Sequence, residues 1–531
     1  MKLPLLLFLA AFAWADSKGL TLRGTVVDGV SGRPIRDAEL RLQDLAWQPV
    51  LEPTFSDGEG RFVFRGLPAG EYILSADTPE TGQVFFEEPP EPGWAVTVHM
   101  KAEEPEKTVT FKVIPRAVVT GAVRDEFGDP VPAAMVTLYR PAWSDGRTTL
   151  EQAAQTATDD RGRYRAARLA PGGYVVCVNA PQAEPVAASA GAVDFAVRPA
   201  ARVYARACYP ERGGSKRSLL KVTPGGETEV NLTLDAVSAS EVHGRIAGSV
   251  PPNGTSLQLV RDTEIAGDNP QMTGVDEGGV FVFRGVLPGR YRLEASATVE
   301  VEGVSRVLTA RVPVDVGGTD VAVEVALTEG VTFDVSLRGA NGDEVSPERV
   351  QVGLRSTTVS NAETFWAQAD PSGEFRISGV PAGAYRVITR TSASDISCID
   401  AVMLGDRNVL RGMVMAKPGM NVALDVIVSR KCGAIIARVA SGAKVLLLLS
   451  GSAKNPEDVL VDYAGPEGEL KFTGLGAGQY RLWAWQVDTF GSFVGPAALE
   501  NVDAQSVVVD LKSGEHATID VPLLRPEGAA K

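Results

Sequence analysis

The sequence is poor in the residues from which active sites are most often built. Its three histidines, His99, His243 and His516, lie far apart in 531 residues, and it has only four cysteines. No H-x-x-E, H-E-x-x-H, C-x-x-C or G-x-S-x-G occurs, so the commonest zinc and serine-hydrolase sites have nothing to be built from. No metal or organic cofactor is therefore expected. Basic charge is also short: 52 Lys and Arg against 66 Asp and Glu leave a net charge of -14. Phosphate backbones and anionic membranes are usually bound by a basic surface, so nucleic acid is excluded as an expected partner. No apolar run reaches the roughly 18 residues that a membrane-spanning helix needs, so the chain is not expected to be membrane-embedded.

The one apolar run of note is at the start. Lys2, the stretch from Leu3 to Phe12, and Ala13-Trp14-Ala15 ahead of Asp16 read as a signal peptide over residues 1–15, cut after Ala15. No cysteine follows it to carry a lipid, and Pro522 to Lys531 has no apolar tail. The expectation is an exported protein, periplasmic, extracellular or associated with the cell surface. In such a compartment the cysteines can oxidise. Cys177 and Cys208 lie 31 residues apart and Cys398 and Cys432 lie 34 apart, so two local bridges are the natural pairing among the three possible. Each would stabilise by roughly 3 kcal/mol. Buried free thiols are the alternative.

What the sequence does have is one phrase written five times: DGEGRFVFRGLPAGEYIL, DDRGRYRAARLAPGGYVV, DEGGVFVFRGVLPGRYRL, DPSGEFRISGVPAGAYRV and GPEGELKFTGLGAGQYRL. In each, a Gly-x-aromatic or Gly-x-aliphatic step is followed ten residues later by Gly-x-Tyr, ending on Tyr72, Tyr174, Tyr291, Tyr385 and Tyr480. These tyrosines recur every 94 to 117 residues, which is the size of a whole domain and not of a solenoid turn. Phe62 and Phe64 alternate with polar or small neighbours, as on a strand with one buried face. A loop rich in Gly and Pro follows, and then a strand opening on tyrosine. That is the arrangement of a tyrosine corner, where the ring joins the core and the hydroxyl bonds back to upstream backbone. All five tyrosines are assigned to structure. The 55 glycines and 34 prolines sit at turn positions between short strands, about seven to a unit.

The fold class is all-β: a tandem array of about five seven-stranded immunoglobulin-like or prealbumin-like β-sandwiches. The boundaries read as 1–15 signal, then 16–115, 116–236, 237–328, 329–429 and 430–531. Junctions such as Ile114 to Ala117 are short and not rich in Gly or Ser, which predicts restricted neighbours and a semi-rigid rod.

Combined across units, the pattern is G-x-V-x-D, then G-x-P-[VIL]-x-x-A-x-[VL]-x-L, then D-x-x-G-x-[FY]-x-[FI]-x-G-[LV]-x-x-G-x-Y. It resembles the carboxypeptidase regulatory-like family, related in fold to transthyretin-like and collagen-adhesin B-type domains. The second unit carries it most fully, through Asp125, Pro130, Ala134, Asp160, Gly162, Tyr164, Leu169, Gly172 and Tyr174, while units three to five keep its second half. In carboxypeptidases such a domain accompanies a separate zinc peptidase domain, for which this sequence has no motif. The resemblance implies scaffold and says little about chemistry.

Acidic residues before the repeated glycine (Asp57 and Glu59, Asp159 and Asp160, Asp276 and Glu277) suggest calcium loops at first sight. Calcium wants six to eight oxygens, and one or two carboxylates beside glycine are what a turn needs for its own backbone, so these are read as turns. The candidate ligand-binding residues are Trp143, Asp145 and Arg147, in the stretch that makes the second unit longest, and Trp366 beside Phe365. An exposed ring with Asp or Arg nearby can serve as a platform for a sugar or peptide. Trp47 and Trp94 occupy proline-flanked segments, and Trp483 and Trp485 alternate on a strand. The competing reading has all these rings capping their own sandwiches. The resemblance extends in fold to starch-binding-like modules, which implies a polysaccharide or other cell-surface partner for a non-catalytic protein. A structural spacer or adhesion stalk with protein partners is the alternative, and an enzyme with an unrecognised carboxylate site the remote one.

Overall fold

The computed structural model describes residues 19–86, 97–144, 147–180, 202–210, 219–248, 254–262, 270–301, 304–342, 350–357, 364–368, 374–391, 398–410, 412–439, 445–450, 460–464, 468–486 and 506–524. The chain divides into two compact units, Met1–Arg116 and Ala117–Lys531. Apart from one short 3-10 turn, Ala340–Gly342, every regular element among the described residues is a strand.

In the first unit, alternation decides which side of each strand is buried. Leu20, Leu22 and Val26 face inward from strand Leu20–Asp28, Phe62 and Phe64 from Arg61–Leu67, and Phe111 and Val113 from Glu106–Val113. These three strands form one sheet, with Leu20–Asp28 in the middle. The facing sheet centres on Gly70–Thr78, flanked by Glu39–Gln43 on one side and by Gly82–Phe85 and Thr97–Met100 on the other, with Thr54–Phe55 beyond Glu39–Gln43. Between the sheets lies one apolar core that includes Leu40, Leu42, Leu74 and Phe86. Each such side chain taken fully out of water contributes roughly 1.5–3 kcal/mol, enough for a unit of this size to hold its own core.

The second compact unit contains four further sandwiches, each with a separate core. Their centres include Leu138 and Val176, then Leu257 and Leu293, then Leu354 and Val387, then Ile435 and Leu482. One feature of all five sandwiches has no signature in hydrophobic period: the opening strand pairs in parallel with the closing one. Leu20–Asp28 runs parallel to Glu106–Val113, Ser240–Ala247 to Val321–Ala326, Val331–Gly339 to Asn421–Ser429, and Gly433–Arg438 to His516–Asp520. In the second sandwich Ala117–Asp125 pairs with two short pieces, Glu227–Glu229 and Leu232–Leu234. Each sandwich is thus closed by the pairing of its own two ends.

A β-bulge recurs at the same place. The register of the opening strand slips against the strand of the repeated phrase in every sandwich, between Leu20 and Thr21 in the first and between Ala166 and Leu169 in the second. Four sandwiches put a glycine with positive φ there: Gly66 (79°), Gly285 (69°), Gly379 (71°) and Gly474 (70°). The second puts Arg168 there, at φ 59°.

Two disulfides are present. Cys177 bonds to Cys208 directly across the strands Gly172–Asn179 and Ala207–Tyr209. Cys398 bonds to Cys432, which lies in the connector between Asn421–Ser429 and Gly433–Arg438. This second bridge therefore ties a strand of the fourth sandwich to the entrance of the fifth and does not lie within one sandwich. The fourth sandwich also moves that strand: Cys398–Leu404 pairs with Asn421–Ser429, whereas its counterpart in the third, Val304–Val316, pairs with Gly289–Val301.

Candidate functional site

The repeated phrase is engaged with its own backbone. Tyr72 donates its hydroxyl to the carbonyl of Pro68 (2.8 Å), Tyr174 to Ala170 (2.5 Å), Tyr291 to Leu287 (2.9 Å), Tyr385 to Pro381 (2.6 Å) and Tyr480 to Gly476 (2.8 Å). The rings are buried and close the loop that carries each accepting carbonyl. The acidic residues of the phrase do similar work one turn earlier. Asp57 Oδ1 accepts from the amides of Glu59 (3.0 Å) and Arg61 (2.8 Å), Asp159 Oδ1 from Arg161 (2.9 Å) and Arg163 (2.8 Å), and Asp276 Oδ1 from Gly278 and Val280 (both 2.8 Å). These are Asx turns. The Arg61 side chain and the turn's amides hold the Asp57 carboxyl below its usual range, and the Arg163 amide, then that of Arg161, does the same for Asp159.

The second sandwich adds a tyrosine where the first and third have Phe62 and Phe281. Tyr164 is buried and donates to the Val230 carbonyl (2.6 Å), at the break between the two short closing strands. Burial, and then the charge of Glu229, push its phenol well above the ordinary range. The hydroxyl satisfies a carbonyl that the interrupted ladder leaves over.

The candidate ligand-binding residues fall in two places. Trp143 and Arg147 lie at the tip of a long hairpin, Met135–Ser144 and Arg147–Ala157, with Trp143 opposite Thr148 and Ser144 opposite Arg147. The stretch runs as an antiparallel ladder with a shift of register between Leu138 and Tyr139, and Asp145 lies outside the described residues. Trp366 lies on Thr364–Gln368, the edge strand of a four-stranded sheet in the fourth sandwich. It stands opposite Gly353, and a Cβ at Gly353 would come within 2.8 Å of the indole and 3.0 Å of Ile388. The ring thus lies across the sheet's outer face, 36% exposed, while Phe365 turns inward to meet Tyr385 edge-on at 6.2 Å. These two groups belong to different sandwiches. Trp47 is exposed and packs edge-on against Phe85 at 5.7 Å, Trp483 is buried, and Trp94 lies outside the described residues.

His99 pairs with Glu71 across strands, while His243 and His516 lie on strands of the third and fifth sandwiches. Among the described residues no group of three His, Cys, Asp or Glu comes together as a metal site would require.

Residues 21–104 and 118–235 each match the carboxypeptidase regulatory-like domain family. The first two sandwiches are carboxypeptidase regulatory-like domains. The matches fall on the two units that carry the whole sequence pattern, and the tyrosine corners, bulges and parallel closing strands extend the same plan to the other three. No curated protein matches the chain. Among solved structures it is similar to the minor pilin of Streptococcus agalactiae (13% identity, 41% of this chain and 97% of that one, TM-score 0.23). It is also similar to the Bacillus anthracis TIE protein (9%, 73% and 68%, 0.16) and to the major pilin subunit of Bacillus cereus (10%, 58% and 99%, 0.15). Scores this low carry no argument about function.

Proposed function

We propose that the chain is an exported, non-catalytic protein whose carboxypeptidase regulatory-like domains and the sandwiches after them bind a cell-surface partner, polysaccharide or protein. The observation that carries this reading is the use made of the repeated residues: five tyrosine hydroxyls and three aspartates are occupied by backbone groups of their own turns. A repeated element of this kind builds a frame and leaves binding to what differs between copies. Two disulfides fit an oxidising compartment, in keeping with the signal-like start of the sequence. No helix among the described residues is long and apolar enough to cross a membrane.

Carbohydrate binding rests on Trp366, a partly exposed ring held flat across a sheet. The spacer reading rests on the junctions inside the second compact unit. Val307 of the third sandwich packs on Gly379 of the fourth, Arg311 reaches the Tyr385 hydroxyl (3.4 Å), and Cys432 is bonded to Cys398 at the next junction. The two readings separate on a panel of immobilised glycans probed with the chain from Asp16 onward, alongside Trp366→Ala and Trp143→Ala. Saturable binding lost in either folded variant supports carbohydrate recognition, and a blank panel with folded protein removes it in favour of the spacer.

A further inference from the structure

The chain is acidic overall, yet four arginines crowd one strand edge of the second sandwich. Arg161, Arg163, Arg165 and Arg168 are all exposed, within eight residues that contain no carboxylate. Strand Arg163–Leu169 is an outer member of its sheet: Ala117–Asp125 pairs with one side, and no strand pairs with the other among the described residues. The amide and carbonyl of Arg163 on that side are taken by Asp159, and from Arg165 onward the outer edge has no strand partner among the described residues, leaving that part open for a further strand.

Comparison with the other sandwiches sets these arginines apart. Arg61 is held by Asp57 (2.8 Å) and Glu59 (2.7 Å), Arg284 by Glu241 (3.2 Å) and Arg376 by Asp334 (2.5 Å). The four in the second sandwich make no ion pair among the described residues. The nearest acid in sequence with a defined role, Asp159, has one carboxylate oxygen turned into its own turn by the Arg161 and Arg163 amides. Glu227 and Glu229 lie on the far side of the sheet, beyond Ala117–Asp125. Arg168 adds a second, independent sign: it occupies the left-handed bulge position that the other four sandwiches give to glycine. A long side chain there costs about 1 kcal/mol or more of backbone strain, and such strain is commonly kept where a side chain is used.

We propose that the edge strand Arg163–Leu169 is a docking site for an extended acidic polypeptide segment of a partner protein, which adds to the sheet as a further strand. The partner's backbone pairs with the open edge, and its carboxylates meet Arg161, Arg163, Arg165 and Arg168. Arg163 and Arg165 point to the same face, about 7 Å apart along the strand, so they fit carboxylates at alternate positions of the added strand. Each guanidinium can take a carboxylate through two hydrogen bonds. An open edge together with this charge favours a peptide over a polysaccharide, which could use the arginines and not the edge. This site lies apart from Trp366, so it stands or falls independently of the glycan reading.

The test uses the full mature chain and a fluorescent peptide of alternating Glu and Val, read by anisotropy. A peptide of the same composition with alternate backbone amides N-methylated keeps the charge and cannot join a ladder; a sulfated polysaccharide is the third probe. The expected result is saturable binding of the alternating peptide, weakened at least tenfold by N-methylation and at least tenfold by Arg163→Glu with Arg165→Glu. Arg163→Gln with Arg165→Gln, a milder pair, is expected to weaken it severalfold with the thermal midpoint unchanged. Arg168→Gly is expected to lower affinity while raising the midpoint, a split that a purely structural arginine would not produce. No binding of the alternating peptide, equal binding of the N-methylated peptide or the polysaccharide, or indifference to the arginine variants would overturn the proposal. The first of these would leave the arginines as guards against edge-to-edge pairing.

Discussion

Two substitutions a few residues apart, Gly162→Ala and Arg168→Gly, are expected to move stability in opposite directions. Gly162 has φ 70°, and a Cβ there would lie 2.5 Å from the Val123 carbonyl oxygen and 3.1 Å from both Pro130 Cβ and the Val131 amide nitrogen. That carbonyl accepts from Val131 (3.1 Å), and the Val123 amide donates to Gly162 (2.8 Å), so the clash falls on the contacts that seat the turn against the opening strand. The left-handed conformation costs a non-glycine residue about 1–2 kcal/mol, and a displaced hydrogen bond adds about 1 kcal/mol. Reduced freedom of the unfolded chain returns about 0.5 kcal/mol. The sum is a loss of about 1.5–2.5 kcal/mol, or roughly 10 °C in the midpoint of a domain this size. Arg168 is exposed and already left-handed, so glycine there removes the strain at the cost of a freer unfolded chain, a net gain of about 0.5 kcal/mol. Calorimetry of the whole chain measures both. Amide exchange on Ala117–Asp125 and Arg163–Leu169 identifies which transition belongs to the second sandwich. A Gly162→Ala loss below about 0.5 kcal/mol, or a destabilised Arg168→Gly, would refute the reasoning.

Tyr480→Phe removes a buried hydroxyl bond to Gly476 and is expected to cost the fifth sandwich about 1–2 kcal/mol, seen as a fall in its unfolding midpoint with the other transitions unmoved. Replacing Cys177 and Cys208 together by Ser is expected to cost roughly 3–4 kcal/mol in the second sandwich, from the 31-residue loop released in the unfolded chain. Denaturant titration with and without reductant should give the same difference in the second sandwich's own transition, since Cys398–Cys432 lies outside that sandwich. The folded-state carboxyls of Asp57 and Asp159 are lowered, so the stability they contribute is present above the unfolded value of 3.8 and is lost as pH falls through the folded value. Acid titration of Asp159→Asn, which keeps the acceptor oxygen, should be flatter below pH 4 than that of the unmodified chain. An unchanged acid limb would show that this carboxylate is not linked to folding.

The repeated phrase made the strands, their loop and the tyrosine legible, because each depends on local geometry: alternation buries Phe62 and Phe64, and the hydroxyl of Tyr72 needs only the carbonyl four residues back. The spacing of the cysteines was legible for the same reason, although Cys432 lies in a connector and so bonds across a junction. Parallel pairing of the first and last strands was hidden, since hydrophobic period is the same for either direction of the neighbour. The paired strands carrying Trp143 and Arg147 were hidden by Pro141, which reads as a break inside a strand. Net charge concealed the arginine strip: the run Arg161 to Arg168 is plain in the sequence, but only the structure puts it on an outer strand whose guanidinium groups make no ion pair among the described residues. The arginine at a glycine position was equally visible by aligning the five phrases, and its meaning came with its φ.

The central claim is that one phrase builds five sandwiches, each closed by parallel pairing of its own ends and pinned by its tyrosine. Hydrogen–deuterium exchange on the intact chain tests it most directly. Slow exchange in all five opening strands and their closing partners, from Leu20–Asp28 with Glu106–Val113 to Gly433–Arg438 with His516–Asp520, is the predicted result. Closing strands that exchange as fast as the connecting loops, in any sandwich whose opening strand is protected, would contradict it.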